Sequence, residues 1–534
     1  MKIQSSIIHP VSFPSSPNRQ IAKATGIIMV AFIFSQLAGL FRRILVARLF
    51  GASIELDAFI AANRVSETLF NLIAGGALGS AFIPIYSSFL VKGDNKSAWK
   101  LASSIGNLVT LILTLLAIVT FIFSPQIVKY ALAPGLASDP NLFQLTIQLL
   151  RIQLVSSILF GISGLMMGIL NSHQVFLVPA LTPAMYQVGM IIGVYLFSPH
   201  LGIYGLAWGV VLGAFLHLLL QIPSIFKKVK KYSFSFGFGN QDVGQVIKLM
   251  IPRLLGVAVV QLNFWVNSAL ATNMTAGSLV GIDYGFSLML MAQAIIAQSA
   301  ATAMMPTLTS QFALGKINEV RDSLAKTLRG VLLLSVPASV GLIIMAKPLI
   351  TFLYQRGNFT SHSTDLVAWA LIWYSTGLIG HSLVEILARA FYSLHNTRTP
   401  VTIGIIAMLL NVVLSFSLSA LFSKVGWMPH GGLALANSIA TLLEAITLLF
   451  FIRLRLNGLN FQWILKGFFQ FLFASACMGF IILSLFSILG GKQVWLVLLS
   501  GLLSGGGSYL IIIVLMKNPE LISIYRVLKE KFRG

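Results

Sequence analysis

The chain has 534 residues, of which 57% are hydrophobic and only 9% are charged, and its mean hydropathy is +0.89. Soluble domains carry about 25% charged residues, so this composition excludes an ordinary soluble protein and indicates one that crosses a membrane several times. The formal net charge of +22 lies mostly in short loops, which is typical of cytoplasmic loops and does not indicate nucleic-acid binding. The single cysteine, Cys477, excludes an internal disulfide framework and a cysteine-rich metal site.

Long charge-free intervals predict the membrane-spanning elements, the longest being 152–226. About 20 apolar residues cross a bilayer as a helix, and spans of this length are helical because lipid offers no partner to backbone polar groups. With the turn-rich segments as boundaries, we predict an all-α protein of about fourteen spans. They lie near 25–48, 57–90, 101–124, 142–170, 175–197, 203–226, 246–271, 277–312, 328–350, 364–393, 400–422, 431–452, 467–489 and 494–516.

The segments outside the spans predict the orientation of the chain. Residues 1–24 are rich in serine and proline and are predicted to be a disordered cytoplasmic tail. Even-numbered loops carry most of the lysines and arginines, including the predicted loop 229–245, whereas odd-numbered loops carry few. The positive-inside rule therefore places both termini in the cytoplasm, with the basic tail 517–534 along the inner membrane surface.

The chain repeats itself at an offset of about 222 residues. GSAFIPIYSSFLVKG resembles AATAMMPTLTSQFALGK, which puts Pro84 opposite Pro306, and ILNSHQVFLVPAL resembles FYSLHNTRTPVTI, which puts Pro179 opposite Pro400. Six spans in each unit give two parallel repeats, a pattern typical of alternating-access transporters. We predict an N-lobe at 25–228, a C-lobe at 246–456 and two extra helices within 457–516.

Charged residues at membrane depth are costly and point to functional sites. The adjacent pair Arg42 and Arg43 is the most expensive of them, because each arginine at mid-depth costs roughly 2.5–3.5 kcal/mol. Asp57 follows a helix start, so it is either a cap or a cavity residue. Glu385 and Arg389, spaced i and i+4, form either an internal pair or part of a cavity. The full set is Arg42, Arg43, Asp57, Arg64, Glu67, Asp283, Glu385, Arg389 and Glu444.

No catalytic motif competes with a transport function. The sequence contains no phosphate-binding GxxxxGK[ST], no zinc-binding HExxH and no paired-aspartate DxD. We therefore predict a protein that is not an enzyme and that needs no cofactor and no metal.

Four stretches resemble the MurJ/MviN family of bacterial lipid II flippases: FGASIELDAFIAANRV, LIAGGALGSAFIPIYSSF, RGNFTSHSTDLVAWAL and LARAFYSLHNTRTPV. The resemblance covers nearly the whole chain. It implies fourteen spans, a location in the bacterial inner membrane, and movement of an undecaprenyl-diphosphate-linked sugar–peptide to the outer leaflet. It also implies a lipid-tail groove at the last two spans, and membrane lipid and the cell-wall synthesis machinery as partners.

The resemblance also implies site residues, with departures from the family pattern. Arg42 matches a family arginine, whereas Gln36 and Ser287 stand where the family has arginines and Arg43 stands where it has an acid. We predict that Glu67 receives Arg43. The predicted substrate-binding residues are Arg42, Arg64, Asp57, Gln36 and Ser287, and the predicted ion-pair residues are Arg43, Glu67, Glu385 and Arg389. Two alternatives follow from the departures: a paralogue that moves another polyprenyl-diphosphate glycan, and a non-transporting membrane scaffold.

Overall fold

The computed structural model of the chain describes residues 17–72, 81–228, 232–489 and 493–520. Throughout these ranges the regular secondary structure is helical and no β-strand occurs. The predicted all-α fold is confirmed.

The helices of the first half form the N-lobe. They are α1 (Pro17–Phe50), α2 (Ile54–Phe70), α3 (Ile83–Val91), α4 (Asn95–Ile122), α5 (Ser124–Ile127), α6 (Pro140–Ser172), α7 (Leu177–Ile192), α8 (Ser198–Leu201), α9 (Ile203–Leu219) and α10 (Ile222–Phe226). Single π-helical turns at Val128–Leu132 and Gly193–Phe197 and a 3₁₀ turn at Pro134–Ser138 connect some of these helices.

The helices of the second half form the C-lobe and a C-terminal pair. The C-lobe comprises α11 (Gln241–Ala271), α12 (Ser278–Gln293), α13 (Ser299–Ala313), α14 (Ile317–Tyr354), α15 (Ser361–Thr376), α16 (Leu378–Ser393), α17 (Arg398–Val425) and α18 (His430–Arg455). The pair is α19 (Phe461–Ile488) and α20 (Val494–Leu515), and both of its helices contact α14.

Ten helical stretches of the described residues are long and apolar enough to cross a membrane, and twelve if two bent pairs each count as one span. One bent pair is α15 with α16, which meet at 48°. The first predicted span corresponds to α1. The second corresponds to α2 and α3, which lie on either side of residues 73–80, outside the described ranges. The structure is therefore consistent with fourteen spans, and that number stays a prediction.

Two predicted boundaries differ from the structure. Residues 17–24 were expected in the disordered tail, but α1 begins at Pro17, because proline is favoured at the first helical position where its missing N–H costs nothing. The loop predicted at 229–245 ends early because Asn240 caps α11, accepting a hydrogen bond from the Asp242 N–H at 2.9 Å. Residues 1–16, 229–231 and 521–534 of the predicted tails and loop lie outside the described residues.

The proline landmarks of the sequence repeat fall on corresponding helices. Pro84 and Pro306 lie in α3 and α13, and Pro179 and Pro400 lie in α7 and α17. π-helical residues precede each member of the first pair, at 71–72 and 81–82 in the N-lobe and at Ala294–Gln298 in the C-lobe. The two lobes thus share helix order and the position of these π-helical residues.

The lobes touch at one end of the molecule, which we call the closed end and which carries the α1–α2, α11–α12 and α14–α15 connections. The Asn358 amide group donates to the Leu49 carbonyl at 2.6 Å, and the Asn358 backbone N–H donates to the Arg48 carbonyl at 2.9 Å. The Ala52 N–H donates to the Ser363 hydroxyl at 3.3 Å. Hydrogen bonds to main-chain groups of the N-lobe therefore hold this end shut.

Candidate functional site

One face of α2 supplies contacts from the N-lobe to the C-lobe. Asp57, Arg64 and Thr68 are spaced i, i+7 and i+11, which places them on the same side of a helix. Arg64 contacts Asp283 of α12, and the Trp265 indole of α11 donates to the Thr68 hydroxyl at 2.9 Å. This helical stripe brings the charged residues of α2 to the surface between the lobes.

A cluster of ion pairs lies along this inter-lobe surface. Arg64 donates to Asp283 at 2.8 Å and to Glu67, one turn along the same helix, at 3.0 Å. The Arg43 guanidinium lies 3.7 Å from the second oxygen of Asp283. Asn63 donates to the other oxygen of Glu67 at 2.7 Å. One carboxylate of the C-lobe therefore joins two arginines of the N-lobe.

Arg42 differs from the other two arginines in its partners. Its guanidinium donates to the Met190 sulfur at 2.8 Å, which is a weak acceptor. Among the described residues, no carboxylate lies within 4.0 Å of it. The Nε atoms of all three arginines are buried without a hydrogen-bond partner in the described part of the chain.

The three arginines line one cavity, which we call the arginine cavity. Three guanidinium groups against two carboxylates leave the cluster with one net positive charge. A second cavity lies on the C-lobe side, and Arg64 and Asp283 line both. Its polar wall is made by Asn263, Asn267, Ser268 and Asn437.

Asp57, predicted to bind substrate, has a different position. It is only 2% exposed, and its carboxylate accepts hydrogen bonds from the Gly277 N–H at 2.6 Å and the Val280 N–H at 2.8 Å. These are the free donors at the start of α12, so Asp57 caps a C-lobe helix rather than lining the cavity. The cap of its own helix is Ser53, which accepts from the Leu56 N–H.

Gln36 and Ser287, also predicted to bind substrate, lie outside the wall of the arginine cavity. Both are half-buried, Gln36 on α1 and Ser287 one turn after Asp283 on α12. Arg42 and Arg64, by contrast, line the cavity as expected.

The predicted pairing of Glu67 with Arg43 is wrong. Glu67 lies on the same helix as Arg64, three residues away, and takes that partner, while Arg43 reaches the acid on the opposite lobe. Glu385 and Arg389 do form an internal pair at 2.7 Å, and Arg389 also donates to Thr302 of α13. All four predicted ion-pair residues are therefore paired, but two have other partners than expected.

Asp283 is among the predicted charges at membrane depth but not among the predicted site residues. Asp283 is the one acid in the predicted eighth span, and an isolated charge in such a span requires a partner. That signal was sufficient to propose a pair with an arginine, but not to say which arginine.

Two repeated helical lobes with a charged cavity at their interface define a polytopic membrane transporter. Residues 46–503 match the family model described as "Lipid II flippase MurJ", and the chain belongs to this family. A relative from Burkholderia cenocepacia named "Lipid II flippase MurJ" is 31% identical over 435 residues, which cover 80% of this chain and 82% of the relative. A relative from Vibrio cholerae, "Probable lipid II flippase MurJ", is 32% identical and covers 81% and 83%, respectively.

Solved structures give the same result. The structure titled "Lipid II flippase MurJ, inward closed conformation" superposes with a TM-score of 0.78 at 27% identity, covering 92% of this chain and 98% of that one. An inward-facing multidrug-resistance MATE family transporter of the MOP superfamily has a TM-score of 0.66 at 15% identity, covering 79% and 94%. The second likeness shows a shared fold alone.

Proposed function

We propose that this protein moves lipid II, the undecaprenyl-diphosphate-linked peptidoglycan precursor, from the inner to the outer leaflet of the bacterial inner membrane by alternating access. The observation that carries the proposal is Arg42, a guanidinium in the inter-lobe cavity that has no carboxylate partner among the described residues. Membership of the lipid II flippase family supports the identity of the cargo.

The chemistry of a diphosphate fits the arginine cavity. Guanidinium groups hold phosphate oxygens through paired, charge-assisted hydrogen bonds. In the arginine cavity, Arg42 uses one donor on a thioether and its Nε–H is unpartnered. A diphosphate would therefore gain hydrogen bonds there without first displacing an acid from Arg42.

The remaining parts of the proposal concern the lipid tail and the orientation. We assign the undecaprenyl chain to a groove at α19 and α20, whose surfaces expose apolar side chains such as Phe473 and Leu503. The lysine-rich loops support cytoplasmic termini, so the closed end would face the periplasm and the arginine cavity would receive substrate from the cytoplasm. We include the cell-wall synthesis machinery among the partners because it consumes the transported precursor.

The proposal is tested in bacterial cells depleted of their own lipid II flippase and supplied with this gene. We expect restored growth and lipid II that is accessible at the outer leaflet, measured by labelling from outside the cell. Arg42→Ala should abolish rescue, because losing a hydrogen bond to a charged group costs about 1.5–3 kcal/mol, or roughly 10–100-fold in binding. Arg42→Lys should retain part of the activity, since it keeps the charge but not the two-pronged geometry.

The matched control is Arg48→Ala, which removes an exposed arginine from the same helix and should still rescue growth. Lipid II accumulation on the inner leaflet despite a well-inserted wild-type protein would contradict the proposal. Normal wall synthesis with a defect in another surface glycan would indicate a different polyprenyl-diphosphate cargo. Full activity of Arg42→Ala would favour a scaffold.

A further inference from the structure

We infer that Asp283 is a built-in competitor for the anionic headgroup, and that an anion which displaces it from Arg43 and Arg64 releases the C-lobe from the N-lobe. The identity of the anion rests on the proposed function. The bridge between the lobes does not, because it rests on contacts within the chain.

The geometry of Asp283 resembles that of a bound anion. One carboxylate oxygen lies 2.8 Å from Arg64 and the other lies 3.7 Å from Arg43. A carboxylate held between two guanidinium groups uses the same donors that a phosphate would use. Asp283 therefore occupies the acceptor position that a diphosphate would need if it is to engage all three arginines of the cavity.

The bridge joins two bodies rather than two residues of one helix. Asp283 belongs to α12 of the C-lobe, whereas Arg43 and Arg64 belong to α1 and α2 of the N-lobe. Glu67 also pairs with Arg64, but within α2, so that second pair can persist whatever the lobes do. Of the ion pairs in this cluster, those of Asp283 must break when the lobes separate at this level.

The position of the bridge makes it part of the closure. Asp283 lies five residues after the first residue of α12, which is about 7.5 Å along the helix axis. Asp57 binds the start of that same helix from the N-lobe. The ion pairs are thus the layer of inter-lobe contact immediately inside the closed end, on the side of the arginine cavity.

The proposed coupling follows from differential binding. The side chains of Asp283 and Arg64 are 20% and 15% exposed, so neither charge is well solvated if the pair breaks without a replacement. A diphosphate supplies the replacement for the arginines, and it binds more tightly to the form in which Asp283 has withdrawn. A ligand shifts a conformational equilibrium by that difference in affinity.

The bridge is tested with the full-length protein in lipid vesicles. Spin labels at Glu55→Cys and Ser361→Cys, in a Cys477→Ser background, report the distance across the closed end. Without any anion, Asp283→Asn should add a population at longer distance, because it keeps the shape of the side chain and removes its charge. Asp283→Glu should restore the closed distribution, and Glu67→Gln, the matched control within α2, should leave it unchanged. An unchanged distribution in a folded Asp283→Asn protein would overturn the bridge.

The competitor role is tested with inorganic pyrophosphate as the probe. Pyrophosphate should lengthen the distance in the labelled background protein and produce no further change in Asp283→Asn. Pyrophosphate should also bind Asp283→Asn about tenfold more tightly than the background protein. A factor of this size is within the usual range of coupling free energies, here between anion binding and the withdrawal of Asp283. Equal affinity for the two proteins would overturn the competitor role and leave the proposed function standing. Absence of binding to either protein would overturn the competitor role together with the proposed anion site, whereas the bridge is decided by the anion-free measurement.

Discussion

At the scale of single residues, two carboxylates join the lobes in different ways. Asp57 accepts from backbone N–H groups at the start of a helix, whereas Asp283 accepts from the Arg64 side chain and forms a longer ion pair with Arg43. An exogenous anion can replace Asp283 because arginine side chains can move to a new acceptor. The backbone donors around Asp57 are enclosed by the packed closed end, so this contact is part of the closure itself.

We predict that Asp57→Asn weakens the closed state. An amide keeps the size of the side chain, but it carries no charge and presents one oxygen where two oxygens each accept a backbone N–H. Hydrogen bonds to charged groups contribute about 1.5–3 kcal/mol each, so we expect a population with separated lobes in spin-label distance measurements across the closed end. Ser53→Ala is the control, because it removes the N-cap of α2, a hydrogen bond from the Leu56 N–H in the same first turn, without removing an inter-lobe contact. If both variants opened the molecule equally, loss of the local helix start would be the cause instead.

At the scale of elements, the C-terminal helix pair is attached to α14 by polar contacts as well as by apolar packing. Arg329 of α14 is 1% exposed, donates to the Trp463 carbonyl at 2.6 Å and pairs with Glu520. The Tyr509 hydroxyl donates to the Leu333 carbonyl at 2.7 Å. Gly467 lies against the Arg329 guanidinium, where a larger residue would collide with it. The pair is therefore fixed to the C-lobe at its helix ends.

We predict that Glu520→Gln loosens this attachment. Removing one partner of a buried ion pair leaves the other charge uncompensated, which costs about 3–5 kcal/mol. Thermal unfolding in detergent should occur at a lower temperature, and limited proteolysis should cut the segment between α18 and α19 earlier than in the wild type. Glu319→Gln makes the same chemical change in an ion pair whose side chains are about half exposed, and there the expected loss is at most about 1 kcal/mol. Equal effects of the two variants would show that the burial of Arg329 is not what secures the pair.

At the scale of the whole molecule, the sequence predicts the helices far better than the contacts between lobes. Charge-free intervals and turn residues locate the spans because each is a local property of about 20 residues. The proline landmarks likewise predict the repeat. The partners of Asp57 and Asp283 were not predictable in this way, since Asp57 meets backbone groups about 220 residues away and Asp283 meets Arg64 across 219 residues. Which acid neutralises which arginine depends on how two lobes dock, and no local pattern encodes that docking.

The closed end depends on backbone approach at Gly51, and this gives a prediction for the whole transport cycle. Gly51 has a positive φ of 63°, and a Cβ added there would meet the Asn358 carbonyl of the C-lobe. Gly51→Ala should therefore keep the lobes apart and stop transport, because closure would require the C-lobe to shift.

Gly426, the residue that ends α17, has a φ of 81° and no atom within 4 Å of an added Cβ. Gly426→Ala carries the same backbone strain, about 1–2 kcal/mol for a left-handed residue, without the inter-lobe collision. The distance across the closed end, measured between spin labels at positions 55 and 361, should lengthen in Gly51→Ala and stay unchanged in Gly426→Ala. If the two variants behaved alike, backbone strain rather than the approach of the lobes would account for the effect.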